Sequence, residues 1–468
     1  MHGVQTMTSD HRDKKAPDVT QFCDQLKFNR FHALLIFLGM VTLIFDGYYS
    51  QIISYILPDI IKDWHLSAVE AGSLASYGLV GLMIGTAGLG MLADRIGRKI
   101  PLLIGLFLFS FFGGALYWAP DFKSFCILRF VSGLGIGGVL TLTITLATEF
   151  APSRIRARMV ATMFAGFMIG PAFAGYLSMI LVPMYGWRIV LLFAYVPLLF
   201  LPVLYFFMPE SIRFLARRGR FEEAIKVLRR IERAAGADPA QWTKESFVIS
   251  AGESASIKQL FASRLAVMTL LIWLVYFCNL LVIYGLTTWL PTLLVAAGIS
   301  LVRSYGYTSL SHIGGAVGTV VIGVVMDRFG RKPGLIVSYL FAAITLWLFG
   351  RLTGNPMGLY IVGAAAGFFV NGAQSAHHAV TGEIYPTFVR STGVGWALTM
   401  GRFGAVCGPL LGGFLQSKGF SFEQYFTTFA VPCLLCAILV CFYRVNVKGE
   451  TLEVVEKRLS AAVQQPIK

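Results

Sequence analysis

Long segments without charged residues constrain this chain more than any other feature. Between short clusters of charge run twelve apolar segments of about 20 residues, the length that an α-helix needs to cross a bilayer. A backbone inside lipid must satisfy its own hydrogen bonds, so each segment is predicted to be a helix. The composition, 56% hydrophobic and 13% charged, is too apolar for a soluble protein of this size. The predicted spans are residues 33–56, 71–92, 100–119, 124–148, 159–182, 187–208, 266–290, 305–326, 334–352, 357–380, 391–415 and 424–443.

The basic residues predict how these spans are oriented. With the N-terminus in the cytoplasm, most of the 39 Lys and Arg fall in cytoplasmic segments, as the positive-inside rule requires. We therefore expect both termini in the cytoplasm, and the net charge of +15 reflects topology and not a nucleic-acid-binding surface. The seven cysteines show no metal or disulfide spacing. The external loops would hold Lys62, Lys123, Arg188, Arg303, Arg351 and Lys418.

The sequence also repeats itself at a shift of 233–234 residues. "GMLADRIGRK" (90–99) returns as "GVVMDRFGRK" (323–332), "EFAPSRIR" (149–156) returns as "EIYPTFVR" (383–390), and Asp46 corresponds to Asn279. Each copy holds six spans in the same orientation, which is typical of parallel repeats related by an axis along the membrane normal. The predicted fold is an all-α membrane protein with twelve transmembrane helices in two pseudo-symmetric halves.

The domain prediction follows from this repeat. Two short tails flank the two six-helix halves, and a linker connects the halves. Within the linker, "FEEAIKVLRRIERA" places Ile225, Leu228 and Ile231 on one face of a helix. That helix either lies on the membrane surface or packs on the cytoplasmic face of the protein itself. The predicted segments are an N-terminal tail (1–32), the N-terminal half (33–208), the linker (209–264), the C-terminal half (265–444) and a C-terminal tail (445–468).

Several motifs resemble those of the major facilitator superfamily. "GMLADRIGRK" resembles its loop signature between helices 2 and 3, "LRFVSGLGIGG" (128–138) its helix-4 signature, and "PESIRFL" (209–215) the motif after helix 6. In the second half, "NGAQ", "YPTFVRSTGVGWA" and "GRFGAVCGP" resemble the aromatic acid/proton symporter family. Helix 1 of that family usually reads "DG.D", whereas this chain has "DGYY", with Tyr49 in place of the second acid. The resemblance implies an alternating-access transporter with a central cavity.

The resemblance further implies that charged residues of the short cytoplasmic turns latch the two halves in one state. A few such charge pairs can bias a two-state equilibrium by a few kcal/mol. The alternative is that these residues only anchor the topology. The predicted gating residues are Asp94, Arg95, Arg98, Glu149 and Arg156, with their repeats Asp327, Arg328, Arg331, Glu383 and Arg390.

Asp46 is the predicted proton carrier, because a carboxylate at membrane depth is costly unless it is paired, hydrated or protonated. Alone in a low-dielectric cavity it would bind a proton, and beside Arg129 or Arg402 it would release one. A group that alternates between these environments can couple proton movement to transport. The other interpretation is a permanently paired structural acid. Asn279, at the repeat position, cannot titrate and is predicted to contact substrate.

Two arginines within spans are candidate ligands for a carboxylate, because a guanidinium offers a planar fork of donors. Arg129 lies in span 4, followed by Gly133 and Gly137 on its face; it could instead form a structural charge pair or reach the outer interface. Arg402 lies mid-span between Gly401 and Gly404. It could bind the substrate carboxylate or pair with Asp46.

Span 10 presents Asn371, Gln374 and His378 at helical spacing. The two amides could bind ring hydroxyls or a carboxylate, and His378 titrates near neutral pH and could join proton transfer. The adjacent His377 must point elsewhere, into helix packing, and His312 is another candidate. Tyr49, one turn after Asp46, is predicted to supply an aromatic wall for the substrate.

The function predicted is proton-coupled import of a small aromatic carboxylate, such as a benzoate or hydroxybenzoate. Its partners would be that anion, protons and the lipid bilayer, without cofactor, metal or nucleic acid, in a monomer of a bacterial inner membrane. One anion with one proton would be electroneutral. The alternatives are a symporter of another organic anion (nicotinate-like, muconate-like or dicarboxylate), an efflux antiporter, or a non-transporting sensor. No enzyme motif is evident: "GLGIGG" fits helix packing better than phosphate binding.

Overall fold

The computed structural model describes residues 18–236, 240–247, 257–261, 264–386 and 389–443, apart from the side chains of Thr20, Ala157, Arg264 and Asp327. The side chain of Asp327, one of the predicted gating residues, lies outside the described residues. The predicted C-terminal tail (445–468) and parts of the N-terminal tail and the linker also lie outside them. The described residues form helices joined by short turns, and twelve of those helices are long and apolar enough to cross a membrane.

The helices are numbered α1 to α15 in chain order. Two 3₁₀ segments extend membrane helices: Leu116–Trp118 follows α4, and Trp187–Tyr195 precedes α7. The helix bounds are α1 Val19–Gln25, α2 Arg30–Trp64, α3 Ala68–Ile96, α4 Lys99–Ala115, α5 Phe122–Phe150, α6 Arg156–Tyr185, α7 Val196–Phe207, α8 Ile212–Arg217, α9 Phe221–Ala235, α10 Arg264–Ala296, α11 Leu301–Phe329, α12 Arg331–Phe349, α13 Pro356–Ile384, α14 Arg390–Ser417 and α15 Phe422–Cys441.

The predicted twelve spans and two-half architecture are confirmed. Helices α2 to α7 form one half and α10 to α15 the other. The pseudo-symmetry extends to single backbone contacts: Gly81 of α3 abuts the carbonyl of Phe130 in α5, and Gly314 of α11 abuts the carbonyl of Ala364 in α13. Small residues allow this close approach, because helices in lipid associate through packing and not through the hydrophobic effect.

Glycine ends the helix at both copies of the loop signature. Gly97 (φ +99°) follows α3, and Gly330 (φ +98°) follows α11. An L side chain rarely adopts such angles, so the turn requires glycine at these two positions. We call the end of the bundle that carries these turns together with α1, α8 and α9 the linker face, and the other end the opposite face.

The linker helix α9 packs on the protein. Its Ala224, Leu228 and Ile231 are buried in the same apolar core as residues of α2 and α7. The apolar face of α9 therefore packs on the N-terminal half, as the second interpretation expected, with Ile225 half-buried against the same core. Helix α1 lies against the same region, where the ring of Phe22 packs edge-on against Trp242 at 5.0 Å between centroids.

The two halves contact each other near the opposite face. Gly72 of α3 abuts the carbonyl of Pro409 in α14, and Ser76 Oγ donates to the Val406 carbonyl at 2.9 Å. Between α2 and α11, Tyr305 OH donates to Asp59 Oδ2 at 3.4 Å. These contacts close the opposite face.

Near the linker face the same helices diverge. A Cβ added at Gly90 in α3, Gly323 in α11 or Gly395 in α14 would meet no described atom within 4 Å. The structure is therefore open toward the linker face and closed at the opposite face.

We expect Gly72→Val to open the closed face, because its side chain would collide with the α14 backbone at Pro409. In a cysteine-free background, spin labels at Asp121 and Lys418, on opposite halves, should move apart in pulsed electron spin resonance. Gly88→Val, in the same helix but facing open space, is the matched control and should leave the distance unchanged. An unchanged distance in Gly72→Val would show that this contact does not hold the face closed.

Candidate functional site

Asp46 lies in the middle of α2 with 1% of its surface exposed. Ser50, one turn later, donates to Asp46 Oδ1 at 3.4 Å. The second oxygen, Oδ2, is buried and has no hydrogen-bond partner among the described residues. A buried acceptor without a donor is costly, so this oxygen is suited to receive a proton or a ligand group.

Arg402 approaches this carboxylate from the other half of the protein. Its guanidinium interacts electrostatically with Asp46 and with the partly buried Tyr284 of α10. Within the described part of the chain, Asp46 and Arg402 form no ion pair at 4.0 Å or less, so they attract each other across a gap. Gly404, half a turn after Arg402, abuts the carbonyl of Phe277 and seats α14 closely against α10.

A hydrogen-bonded chain of four side chains crosses from α10 to α13. Asn279 Nδ2 donates to Gln374 Oε1, Gln374 Nε2 contacts His378 Nε2 at 2.8 Å, and His378 Nδ1 contacts Tyr276 OH at 2.8 Å. If the Gln374 amide donates to Nε2, a neutral His378 carries its proton on Nδ1 and donates it to Tyr276. Asn279 Oδ1 is buried without a described partner, which leaves one acceptor available to a ligand.

Two other polar residues of α13, His377 and Asn371, form their hydrogen bonds outside this chain, although the His377 ring packs on that of Tyr276 at 4.5 Å between centroids. His377 is fully buried, and its Nε2 contacts Tyr443 OH at 2.7 Å, as expected for a histidine in helix packing. Asn371 donates to the Gly367 carbonyl at 3.1 Å. Asn371 and His312 line a cavity inside the C-terminal half together with apolar residues such as Phe349 and Phe426. The structure thus joins Gln374 and His378 but separates Asn371 from them.

Arg129 and Tyr49 form a buried unit within the N-terminal half. The guanidinium lies over the Tyr49 ring at 4.8 Å and contacts the Tyr49 carbonyl at 3.4 Å. Tyr49 OH and Ser132 Oγ are 2.7 Å apart. Gly78 leaves room for the arginine, since a Cβ there would lie 2.7 Å from Arg129 Nε.

The sequence predicted that Tyr49 forms an aromatic wall for the substrate and that Arg129 binds a carboxylate. The structure places both side chains differently. Tyr49 is 1% exposed and packs against Gly113 and Phe109, so in this conformation it supports Arg129 and does not form a substrate wall. Arg129 is itself buried, and the described residues give it an aromatic partner in place of the charge pair that one interpretation expected. A cation–π contact inside low dielectric is stabilising without a counter-ion.

The predicted gating residues pair within each half. Arg98 and Glu149 lie 2.9 Å apart in the N-terminal half, and Arg331 binds Glu383 in the C-terminal half. Arg156 binds Asp24 of α1 at 3.2 Å. Arg390 Nε donates to the Tyr385 carbonyl at 3.2 Å, while Asp94, Arg95 and Arg328 are exposed. Among the described side chains these residues form no latch between the halves, which agrees with the open linker face.

Glu210 is a central residue of this region that sequence reasoning missed. Its Oε1 accepts the backbone N–H of Arg98 at 2.8 Å and of Ser211 at 2.8 Å. Arg98 also donates to Ser211 Oγ at 2.7 Å. The carboxylate therefore caps the start of α4 and ties the loop signature to the linker. The available signal was the motif "PESIRFL", whose acid precedes α8.

Comparison with known proteins identifies the family. The sugar (and other) transporter family model matches residues 2–459. The chain belongs to this family of the major facilitator superfamily. It is therefore a multi-pass membrane transporter, and its similarity to transporters agrees with the prediction that it is not an enzyme.

Its curated relatives and solved structural neighbours are similar over most of their length. It is 36% identical to the gallate transporter of Pseudomonas putida (90% of this chain, 94% of the relative) and 34% identical to the 4-hydroxybenzoate transporter PcaK of Pseudomonas aeruginosa (90% and 95%). The niacin transporter NiaP of Acinetobacter baylyi is 31% identical (93% and 99%). The inward open structure of the xylose transporter XylE from E. coli superposes with a TM-score of 0.70 at 20% identity (91% and 99%), which supports the fold.

The Arg129 unit yields a stability prediction. Tyr49→Ala should lower the free energy of unfolding by about 3–5 kcal/mol, as for other buried aromatic truncations, because it also removes the ring beneath the guanidinium. Tyr49→Phe, which loses only the hydroxyl contact with Ser132, should cost about 1 kcal/mol.

Thermal unfolding of the purified protein in detergent measures both effects. The control is Tyr176→Ala, since Tyr176 is 60% exposed and its truncation should change stability by less than about 0.5 kcal/mol. Equal loss in the Tyr49 and Tyr176 variants would contradict the role of Tyr49 as a buried support.

Proposed function

We propose that this protein is a proton-coupled symporter that imports a small aromatic carboxylate by alternating access. The observation that carries the proposal is that Asp46 keeps a buried oxygen without a described partner and is attracted electrostatically by Arg402 of the other half. The relatives support the substrate class, because gallate, 4-hydroxybenzoate and niacin each combine an aromatic ring with a carboxyl group.

In this proposal Arg402 binds the substrate carboxylate. A guanidinium that is not already paired can offer two parallel N–H groups to a carboxylate. Once the anion neutralises Arg402, the attraction between Arg402 and an ionised Asp46 weakens, so Asp46 accepts a proton more readily. Substrate binding and proton binding thus favour each other, which is the coupling that symport requires.

The chain from Asn279 to Tyr276 supplies the polar contacts for ring substituents. Asn279 and Gln374 can exchange their mutual hydrogen bond for bonds to a ring hydroxyl or ring nitrogen. His378 is the second candidate for proton transfer, because it connects to the same chain. Arg129 contributes indirectly in this conformation: it fixes the backbone of α2 at Tyr49, one turn after Asp46.

The transport cycle follows from the closed opposite face. With both termini in the cytoplasm, as the basic residues predict, the linker face is cytoplasmic and this conformation is the inward-open state. In the outward-open state the halves would meet at the linker face, and the predicted gating residues, Asp327 included, would then pair across the interface. We place the protein in the bacterial inner membrane as a functional monomer.

The direct test is uptake of labelled 4-hydroxybenzoate into proteoliposomes, with and without an inward proton gradient. Asp46→Asn should lose gradient-driven uptake but keep counterflow exchange, since the amide cannot titrate but keeps the shape of the side chain. Asp121→Asn is the matched control, because Asp121 is an exposed helix cap and asparagine caps equally well. Unchanged gradient-driven uptake in Asp46→Asn would make Asp46 structural and point to His378.

Arg402 and Gln374 have separable effects on specificity. Arg402→Gln should raise KM for every aromatic acid by about tenfold to a hundredfold, the range for loss of hydrogen bonds to a charged group.

Gln374→Met should raise KM for 4-hydroxybenzoate more than for benzoate, because only the former has a ring hydroxyl. Transport of neither acid by the wild type would refute the substrate class while leaving the transporter fold intact. Equal effects of Gln374→Met on both acids would remove Gln374 from ring recognition.

A further inference from the structure

Tyr443 follows α15 and is buried inside the C-terminal half, with 1% of its surface exposed. Lys332 Nζ donates to its backbone carbonyl at 2.9 Å, and Lys332 belongs to the second copy of the loop signature, "GVVMDRFGRK". The Tyr443 hydroxyl contacts His377 Nε2 at 2.7 Å. The residue is therefore held at two points, with its backbone bound to the linker face and its side chain bound to α13.

The ring of His377 depends on Tyr443 for its orientation. Its other nitrogen, Nδ1, is buried and has no hydrogen-bond partner among the described residues. The two rings also stack at 5.8 Å between centroids, with their planes 26° apart. Without the Tyr443 hydroxyl, both nitrogens of a buried histidine would lack a described partner, which is costly. The hydroxyl therefore favours one orientation of this ring.

His377 in turn packs on the ring of Tyr276. The ring centroids are 4.5 Å apart, and both residues are fully buried. His378, the next residue of α13, contacts the Tyr276 hydroxyl through Nδ1 at 2.8 Å. The two adjacent histidines thus contact one tyrosine, His377 at its ring and His378 at its hydroxyl. A close-packed ring fixes where its hydroxyl lies.

The position of the Tyr276 hydroxyl determines which nitrogen of His378 carries the proton. When Tyr276 accepts from Nδ1–H, Nε2 is free to accept the Gln374 amide, which lies 2.8 Å away. Gln374 Oε1 then accepts from Asn279 Nδ2. The hydrogen bond at one ring nitrogen sets the role of the other, so a displaced Tyr276 would change donors and acceptors along the whole chain.

We propose that Tyr443 is a positioning residue for ring recognition, an inference that rests on the proposed function for the role of the chain from Asn279 to Tyr276. Tyr443 does not touch the substrate. It holds His377 against Tyr276, and Tyr276 keeps His378 in the tautomer that leaves Gln374 and Asn279 ready to bind a ring substituent. The same residue connects this chain, through Lys332, to the loop signature at the linker face.

Tyr443→Phe tests this proposal, because it removes the hydroxyl but keeps the ring and the carbonyl that Lys332 binds. In proteoliposomes, KM for 4-hydroxybenzoate should rise about threefold to tenfold, the factor for one neutral hydrogen bond. KM for benzoate and the maximal rates should stay unchanged. His377→Phe, which removes the same hydrogen bond from the other side, should give the same result and replaces Tyr443→Phe if that variant does not fold.

Tyr339→Phe is the matched control. Tyr339 is fully buried and its ring packs edge-on against His377 at 6.5 Å, but within the described part of the chain its hydroxyl has no hydrogen-bond partner. Losing that hydroxyl should leave KM unchanged. Because Tyr443 acts through Gln374, Tyr443→Phe should have no further effect on KM in a Gln374→Met background. Additive effects of the two changes would contradict this order, as would an equal rise of KM for both acids.

Ring ¹⁵N spectra of histidine-labelled protein in lipid vesicles report the tautomer of His378 without any transport, and His378→Asn assigns its signals. They should move in Tyr443→Phe and stay in place in Tyr339→Phe. Unchanged His378 signals in Tyr443→Phe would overturn the proposal whatever the transport assays show. If the signals move but the wild type transports neither acid, the proposed substrate is wrong and the positioning of His378 by Tyr443 stands.

Discussion

The free-energy cost of an unsatisfied polar group at membrane depth organises this structure. Many buried polar side chains meet that cost locally: Tyr48 OH donates to the Val190 carbonyl, and Trp289 Nε1 donates to the Pro409 carbonyl. Among the described residues that leave a buried polar atom without a partner, two are informative because they lie at equivalent positions in the repeat. Asp46 and Asn279 occupy equivalent positions in the two halves, and each retains a buried oxygen without a described partner. When a proton or ligand binds to such a group, it removes this cost, so the cost contributes favourably to the free energy of binding.

Glycine provides the second constraint, because it sets how closely helices approach. Inside each half, glycines of α3 and α11 pack against carbonyls of α5 and α13, so each half can behave as a rigid unit. Between the halves, the contact at Gly72 and Pro409 is confined to the opposite face. Rigid units joined along one edge can rock about that edge, and the pairing of the loop charges within each half leaves the linker face free to close or open.

The sequence was sufficient for the fold because hydropathy, basic-residue bias and the internal repeat each reflect forces that act on long segments. The repeat even predicts which residues occupy equivalent positions, as Gly97 and Gly330 show. It could not predict side-chain directions. Tyr49 lies on nearly the same helix face as Asp46, yet it turns into the N-terminal half because Gly113 leaves space there and Ser132 offers a hydrogen bond.

Sequence reasoning also could not predict hydrogen bonds between residues that lie far apart in the chain. The spacing of α13 correctly grouped Gln374 with His378, but it also included Asn371, which bonds to its own helix. Glu210 escaped notice because its role depends on backbone N–H groups more than 100 residues away, at Arg98 and Lys99. Neither distance in the chain nor residue type predicts such a contact.

The asymmetry between the two halves bears on stoichiometry. The N-terminal half places a carboxylate at Asp46, whereas the equivalent Asn279 is neutral and is hydrogen-bonded through Gln374 to His378. A second carboxylate in the C-terminal half would add a negative charge to the cavity that a substrate anion must enter, and repulsion would weaken its binding. With an amide there, the function that we propose has Arg402 attract the anion while Asp46 remains the one acid of this symmetry-related pair. A single acid facing a single arginine fits the transfer of one proton with one monovalent anion, for which the membrane potential neither opposes nor drives net movement.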